Sequence, residues 1–247
     1  MTFLTSVTRN LGAALRESGQ ALERLGVRLQ GQYAYEETLN RHRRVSPFAD
    51  KYPQIEKGTF VAPNATVLGD VSISSDASVW YGAVIRGDVN HVKIGPSASI
   101  QDRAVIHVAK IGGDFPTLIG ARAVVEPGAI VHAATLKDGA FVGAGAKVLD
   151  GAVVGEEAMV AAGALVTPGT KIPDGQLWSG SPAKFERDLS AQEKKDMRAA
   201  AEKIVLLAKK HQAEAEKPFD VVRAERIVRE AEEERHQDYV SKIGYSQ

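Results

Sequence analysis

The chain has 247 residues, 44% hydrophobic and 25% charged, the balance of a globular protein able to bury one sizeable core, so disorder is not the default reading. Its 31 basic and 31 acidic residues cancel, which leaves no global field to draw it to nucleic acid or to an anionic membrane surface. It has no cysteine, which excludes disulfides and thiolate chemistry and leaves His, Asp or Glu to hold any metal; no apolar run reaches the roughly 18 residues of a spanning helix.

Residues 1–30 carry Arg9, Arg16, Arg24 and Arg28 against only Glu17 and Glu23, with Leu11, Leu15, Leu22, Leu25 and Leu29 near helical spacing. A mitochondrial presequence, a docking helix and an ordinary packed amphipathic helix share that pattern. Residues 1–58 are read as an N-terminal helix and arm.

From residue 59 the period changes. Val61, Val67, Ile73, Val79 and Ile85 fall six apart. After a three-residue phase slip at Arg86 to Asp88 the series resumes with Ile94, Ile100 and Ile106. It continues through Leu118, Val124, Ile130, Leu136, Val142, Val148, Val154, Val160, Val166 and Ile172, broken only at Gly112. A small residue precedes many of these by two positions, as at Ala65, Ala83, Ala104, Gly128, Ala134 and Ala146. A period of six means one short strand and one corner per face, and three such units close a coil of about 18 residues whose branched side chains stack on those of the next coil. Helices repeat at about 3.6 and simple strands at two, so neither accounts for six. The predicted fold class is therefore all-β at its core, a parallel β-helix of hexapeptide repeats over 59–185, preceded by the N-terminal arm and followed by C-terminal α-helices. About 59 to 176 makes roughly six coils, a prism on the order of 30 Å long.

The segment 107–117, with two glycines and a proline, predicts a loop that leaves the prism. Beyond Pro173 and Pro182, Ser190-Ala-Gln-Glu193 forms a capping box ahead of Met197, Ala201, Ile204, Val205 and Ala208, which predicts a helix lying along one face and ending before Pro218. Residues 186–247 are read as this helix and a docking tail, with the charges from Glu230 to Arg235 on a solvated face.

Of the six histidines, His91, His107 and His132 fall on the prism, while His42, His211 and His236 do not. His107 and His132 are 25 apart. If a coil takes about 18 and the loop absorbs about seven, the two imidazoles sit one coil apart on one face, close enough to share a metal.

Arg86-Gly87-Asp88, Gln101-Asp102, His107-Val108-Ala109, His132, the run from Met159 to Val166 and Gly180-Ser181-Pro182-Ala183 resemble the γ-class carbonic anhydrases in order and spacing, over about 59 to 190. The run from Arg16 to Gly31, with Arg41-His42-Arg43, resembles the N-terminal arm of the γ-carbonic anhydrase subunits of plant and algal mitochondrial complex I. This resemblance implies a left-handed coil, an exception to the right-handed crossover rule. It also implies a trimer with zinc between subunits, two histidines coming from one chain and the third from its neighbour, the metal activating a water for attack on carbon dioxide.

Carried over by position, His107 and His132 are the pair from one chain, and the third ligand position holds Pro127, which has no donor atom. Glu126 beside it is a conceivable ligand pointing along a different vector. A homotrimer is thereby one ligand short at every interface; a heterotrimer completes a site wherever an intact neighbour faces His107 and His132. Arg86 and Asp88 match an inter-subunit ion pair, though a plain coil-turn role suits them as well. Gln101 and Asp102 match positions that contact or orient metal-bound water, or are polar turn residues. His91 replaces a residue that is not a ligand.

Three functions follow as expectations. The first is a catalytically impaired structural or assembly subunit of complex I, on the matrix side of the mitochondrial inner membrane. Its partners are related γ-carbonic anhydrase chains and membrane-arm subunits, with no nucleic acid and only peripheral contact with the membrane. The second is an active zinc carbonic anhydrase at an interface completed by a neighbour. The third is a hexapeptide-repeat acyltransferase with a histidine base.

Overall fold

In a computed structural model of the chain, residues 3–31, 42–109, 115–218, 221–222 and 224–233 are described. Two units divide the chain, Met1–His42 and Arg43–Gln247. In the first, helix α1 spans Phe3–Gln30, with Arg28 in its last turn facing the negative end of the helix dipole and Gly31 beyond it in the left-handed conformation (φ 56°) that ends helices. Leu11, Leu15, Leu22, Leu25 and Leu29 of α1 all stand exposed. Arg41 and His236 lie outside the described residues, as do residues 110–114, Gly112 among them, of the loop expected over 107–117.

The second unit is the left-handed β-helix. Two- and three-residue strands stack in parallel on three walls. The first wall runs from Phe60–Val61 through Ser78–Val79, Ser99–Ile100, Val124–Val125, Phe141–Val142 and Met159–Val160 to Gln176–Ser179, where Lys184–Asp188 closes the eight-stranded sheet antiparallel. The second wall carries Val84–Ile85, Val105–His107, Ile130–His132, Lys147–Val148 and Leu165–Val166. The third carries Lys93–Ile94, Thr117–Ile119, Thr135–Leu136, Val153–Val154 and Lys171–Ile172. Parallel pairing already begins with Val45–Ser46 against Val67–Leu68 and Gln54–Ile55 against Ser72–Ile73.

One branched residue per wall points inward and is sealed from solvent: Val67, Ile85, Ile106, Val131, Val148 and Val166 form one such column, with Ala65, Ala83, Ala104, Ala129, Ala146 and Ala164 at its corners. At about 25 cal/mol per Å² of apolar surface buried, these columns are the main favourable term holding the coils together.

The inward series departs from the sixfold count between 118 and 130. Leu118 is 37% exposed and Ile130 only partly buried, while Ile119, Val125 and Val131 face the core. The chain takes 13 residues from Ile106 to Ile119, one more than two hexads, and a five-residue step from Val131 to Leu136, where Ala133 (φ 51°) and Ala134, both buried, turn the corner one residue early, brings the count back. Counting in sixes across the loop misses both, and for the same reason the corner residue is Ala129 and not Gly128.

The phase slip is also displaced. Arg86 and Gly87 remain in register with Leu68 and Gly69, and the extra residues come afterwards, since Gly69 and Val71 are two apart where their partners Gly87 and Val92 are five apart. Gly69 (φ 81°) and Gly87 allow this: a Cβ on Gly87 would meet the Asp70 carbonyl oxygen at 2.3 Å, and one on Gly69 the Gly87 carbonyl oxygen at 2.4 Å. The bulge throws Asp88 to His91 outward from the second wall.

Helix α2, Ala191–Ala215, covers the first wall as its amphipathic pattern predicts, burying Met197, Ala201 and Ala208. Met197 packs with Leu177 and Leu189 near the last coils, and His211 meets Phe60, Trp80 and Tyr81 at the first, its Nδ1 lying 3.0 Å from the Tyr81 hydroxyl. Beneath it the Trp80 indole N–H donates to Ser78 and Ser99, both buried, at 3.0 Å.

Ser190 and Glu193 complete the capping box at the start of α2. The Ser190→Ala variant should lose about 1 kcal/mol, read from denaturant midpoints. The Glu193 carboxylate accepts hydrogen bonds first from Arg187 and then from Ser190, which hold its pKa down at about 2. A depressed carboxylate stabilises the fold above its unfolded pKa near 4.5 and stops doing so as pH falls toward 2. The melting temperature should therefore drop more steeply between pH 5 and pH 2 in the native chain than in Glu193→Gln; parallel pH profiles would refute this.

Candidate metal centre

The second wall is the one whose edge bears histidine. Val105–His107 and Ile130–His132 pair in parallel, with Ile106 opposite Val131 and His107 opposite His132. Both inward residues are sealed in the core, so the next side chains alternate outward and the imidazoles emerge together at the corner. Their ring centroids are 5.0 Å apart with planes inclined at 54°. A zinc–nitrogen bond of about 2.0–2.1 Å puts an imidazole centroid about 3.2 Å from the metal, so two imidazoles at a tetrahedral angle have centroids about 5.2 Å apart. The observed pair fits that requirement.

Each ring is held by a carboxylate from an adjacent coil. His107 Nε2 is 3.0 Å from Asp88 Oδ1, and His132 Nδ1 is hydrogen-bonded to Asp150. Asp88 is delivered by the bulge after Gly87; its side chain is only 10% exposed and also accepts from Arg86 Nε at 3.1 Å. Burial alone would raise the Asp88 carboxyl, but hydrogen bonds from Arg86 and then His107 outweigh it and keep the pKa below the usual carboxylate value. Arg86 and Asp88, which match a pair between subunits, are thus bonded to each other within one chain. Thr117, buried, donates its hydroxyl to the His107 carbonyl.

Gln101, Asp102 and Pro127 lie at the other edge of the same wall. Val125 is in register with Ile100, so Glu126 and Pro127 stack beside Gln101 and Asp102, and the Gly128 amide donates to the Asp102 carbonyl at 2.8 Å. The Gln101 and Asp102 side chains make no hydrogen bond to any described residue. Glu126 is oriented by the next coil, its Oε2 accepting the Ala144 amide at 2.8 Å. Pro127 occupies the second position of a tight turn closed by the Ala129 amide on the Glu126 carbonyl at 3.2 Å, with Gly128 at φ 68°. Among the described residues no cluster of three or more His, Cys, Asp or Glu side chains is placed to hold a metal.

Two features were not anticipated. Asp150 lies 18 residues after His132, one coil, and the repeat itself is the signal that could have found it. His91, which matches no ligand position, has its Nδ1 2.8 Å from Asp70 Oδ1, and Asp70 also accepts from Lys51 at 3.1 Å. The hydrogen bond from His91 is the main cause of a lowered Asp70 pKa.

A left-handed coil of hexapeptide repeats defines the class: a hexapeptide-repeat protein, here with two imidazoles in register at one corner. No protein-family model matches the chain. It is 44% identical over 237 residues, 95% of its length and 85% of the relative's, to gamma carbonic anhydrase 2, mitochondrial, of Arabidopsis thaliana. A carbonic anhydrase of Geobacillus kaustophilus is 36% identical over 153 residues, covering 62% of this chain and 82% of that one. The crystal structure of a hexapeptide transferase family protein from Anaplasma phagocytophilum superposes with a TM-score of 0.64 at 39% identity, over 67% of this chain and 96% of that one. This chain belongs to the gamma carbonic anhydrase family.

Proposed function

We propose that the chain is a structural and assembly subunit of mitochondrial complex I, one member of a trimer of related γ-carbonic anhydrase chains. It works on the matrix side of the inner membrane and touches lipid only peripherally. The observation that carries this reading is the contrast between the two edges of the second wall, an in-register imidazole pair at one and Pro127 at the other. The mitochondrial placement draws on the names of the Arabidopsis relatives and on the arm from Arg16 to Gly31. Association through the second wall is supported by the partly exposed Val84, Val105 and Ile130, which α2 leaves uncovered.

His107 and His132 would hold zinc together with a histidine from an intact neighbour; the 5.0 Å separation of their ring centroids suits that ion, and the Pro127 edge offers no donor. Bound zinc lowers the pKa of a coordinated water to about 7, the chemistry needed to hydrate carbon dioxide. On this chain, Asp88 and Asp150 fix the two rings. Gln101 and Asp102 stand at the Pro127 edge, where they are available to orient a water in a site whose imidazole pair comes from the neighbour. A trimer of this chain alone lacks a third donor at every interface and is a poor carbonic anhydrase; in a mixed trimer the chain supports activity at one of its two interfaces. Coenzyme A-dependent acyl transfer rests on the shared coil architecture alone.

Zinc per trimer, measured on the natively purified assembly and on the chain expressed alone, tests this. Zinc in the assembly but not in the isolated chain is the expected result. Stoichiometric zinc in the isolated chain would overturn the disabling role given to Pro127, and a zinc-free assembly would overturn the shared site.

A further inference from the structure

Resting on the reading of His107 and His132 as zinc donors, we propose that Asp150 is a positioning residue that selects the His132 tautomer and so aims Nε2 at the ion. An ionised carboxylate only accepts hydrogen bonds, so the nitrogen facing Asp150, Nδ1, carries the proton; in the neutral ring the free lone pair is then on Nε2. In solution the neutral imidazole divides between two tautomers, only one of which presents that lone pair. His107 is set the opposite way, with Asp88 on Nε2 and the lone pair on Nδ1. One carboxylate from the preceding coil and one from the following coil thus brace the pair from its two sides.

Asp150 is well fixed for this task. It lies one coil beyond His132, and the backbone on both sides of its side chain is tied into the stack. The Gly151 amide donates to the Ala133 carbonyl at 2.7 Å, and the Asp150 carbonyl accepts the Gly169 amide at 2.9 Å. The Phe115 ring lies against the same turn, 3.4 Å from where a Cβ on Gly151 would stand. The backbone that carries the carboxylate is therefore fixed, and its hydrogen bond to His132 orients the side chain, as outer partners of metal-bound histidines require.

Two measurements test the role. In the metal-free full chain, nitrogen-15 NMR should show neutral His132 protonated at Nδ1, shifting toward Nε2 protonation in Asp150→Ala while His107 keeps its own pattern. In full chains also carrying Pro127→His, so that every interface of a homotrimer offers three imidazoles, zinc affinity from chelator competition should fall about 10–100-fold in Asp150→Ala. Asp150→Asn, which keeps a carbonyl acceptor, should recover part of both effects and also serves if the alanine variant folds poorly. An unchanged His132 tautomer, or zinc affinity within about twofold of the parent, would overturn the proposal. If Pro127→His binds no zinc at all, the zinc reading fails, and the His132 spectrum still decides whether Asp150 sets the ring.

Discussion

Histidine in place of Pro127 should convert a trimer of this chain from one that loses zinc on dialysis into one that retains about one ion per interface. The backbone poses little obstacle. Pro127 sits at the second position of its turn, where a non-proline residue adopts the same negative φ, and the left-handed position is taken by Gly128. Proline has no amide donor, so no existing hydrogen bond is lost. The cost is the extra freedom of the unfolded chain, about 0.4–1 kcal/mol. The gain is a third imidazole opposite the neighbour's His107 and His132, enough for a structural or catalytic zinc set. Elemental analysis after dialysis reads the result directly. A variant that folds and trimerises but carries no zinc would mean that the two walls do not meet with these edges together.

The second large effect belongs to the core. Ile106 is fully buried, stacked between Ile85 and Val131, and directly precedes His107. Ile106→Ala should cost about 2–5 kcal/mol, while Ile106→Val, which keeps the branched Cβ, should cost about 0.5–1.5 kcal/mol. Urea unfolding midpoints separate the two. The penalty falls at the high end if the coils on either side, pinned by parallel pairing, cannot close the cavity. A loss below about 1 kcal/mol for the alanine variant would show that the stack collapses freely and that the inward columns are loosely packed.

Much of this architecture was legible because a coil repeats its chemistry every six residues. Val61 through Ile106 and Leu136 through Ile172 could be placed on the inner surface from spacing alone, and they are buried there. The stretch around Leu118, Val124 and Ile130 could not, because neither the extra residue between Ile106 and Ile119 nor the corner shortened at Ala133 leaves a mark in composition. At the site, the register of His107 with His132 followed from their separation once the loop was allowed for. The carboxylate partners were harder to see. Asp88 reaches His107 only because the bulge begins after Gly87, a choice dictated by close backbone approach to Asp70. Glu126 looked available beside Pro127, and nothing in the sequence announces that the Ala144 amide holds it.

The 5.0 Å between the two imidazoles is close to the pitch of the ladder itself, about 4.8 Å between neighbouring rungs. Any two histidines on adjacent rungs inherit a chelating separation without further design, so half of a zinc site comes with the scaffold. The other half does not. Donors taken from three successive rungs of one column lie, with the ion they share, close to a single plane, whereas a tetrahedral ion needs its third donor outside that plane. A ladder of this kind cannot finish such a site by itself, and the missing donor has to arrive from a second ladder. Each chain is then a lender at one edge and a borrower at the other, and the two roles can be lost separately: a chain that has stopped lending, as Pro127 implies, can still borrow.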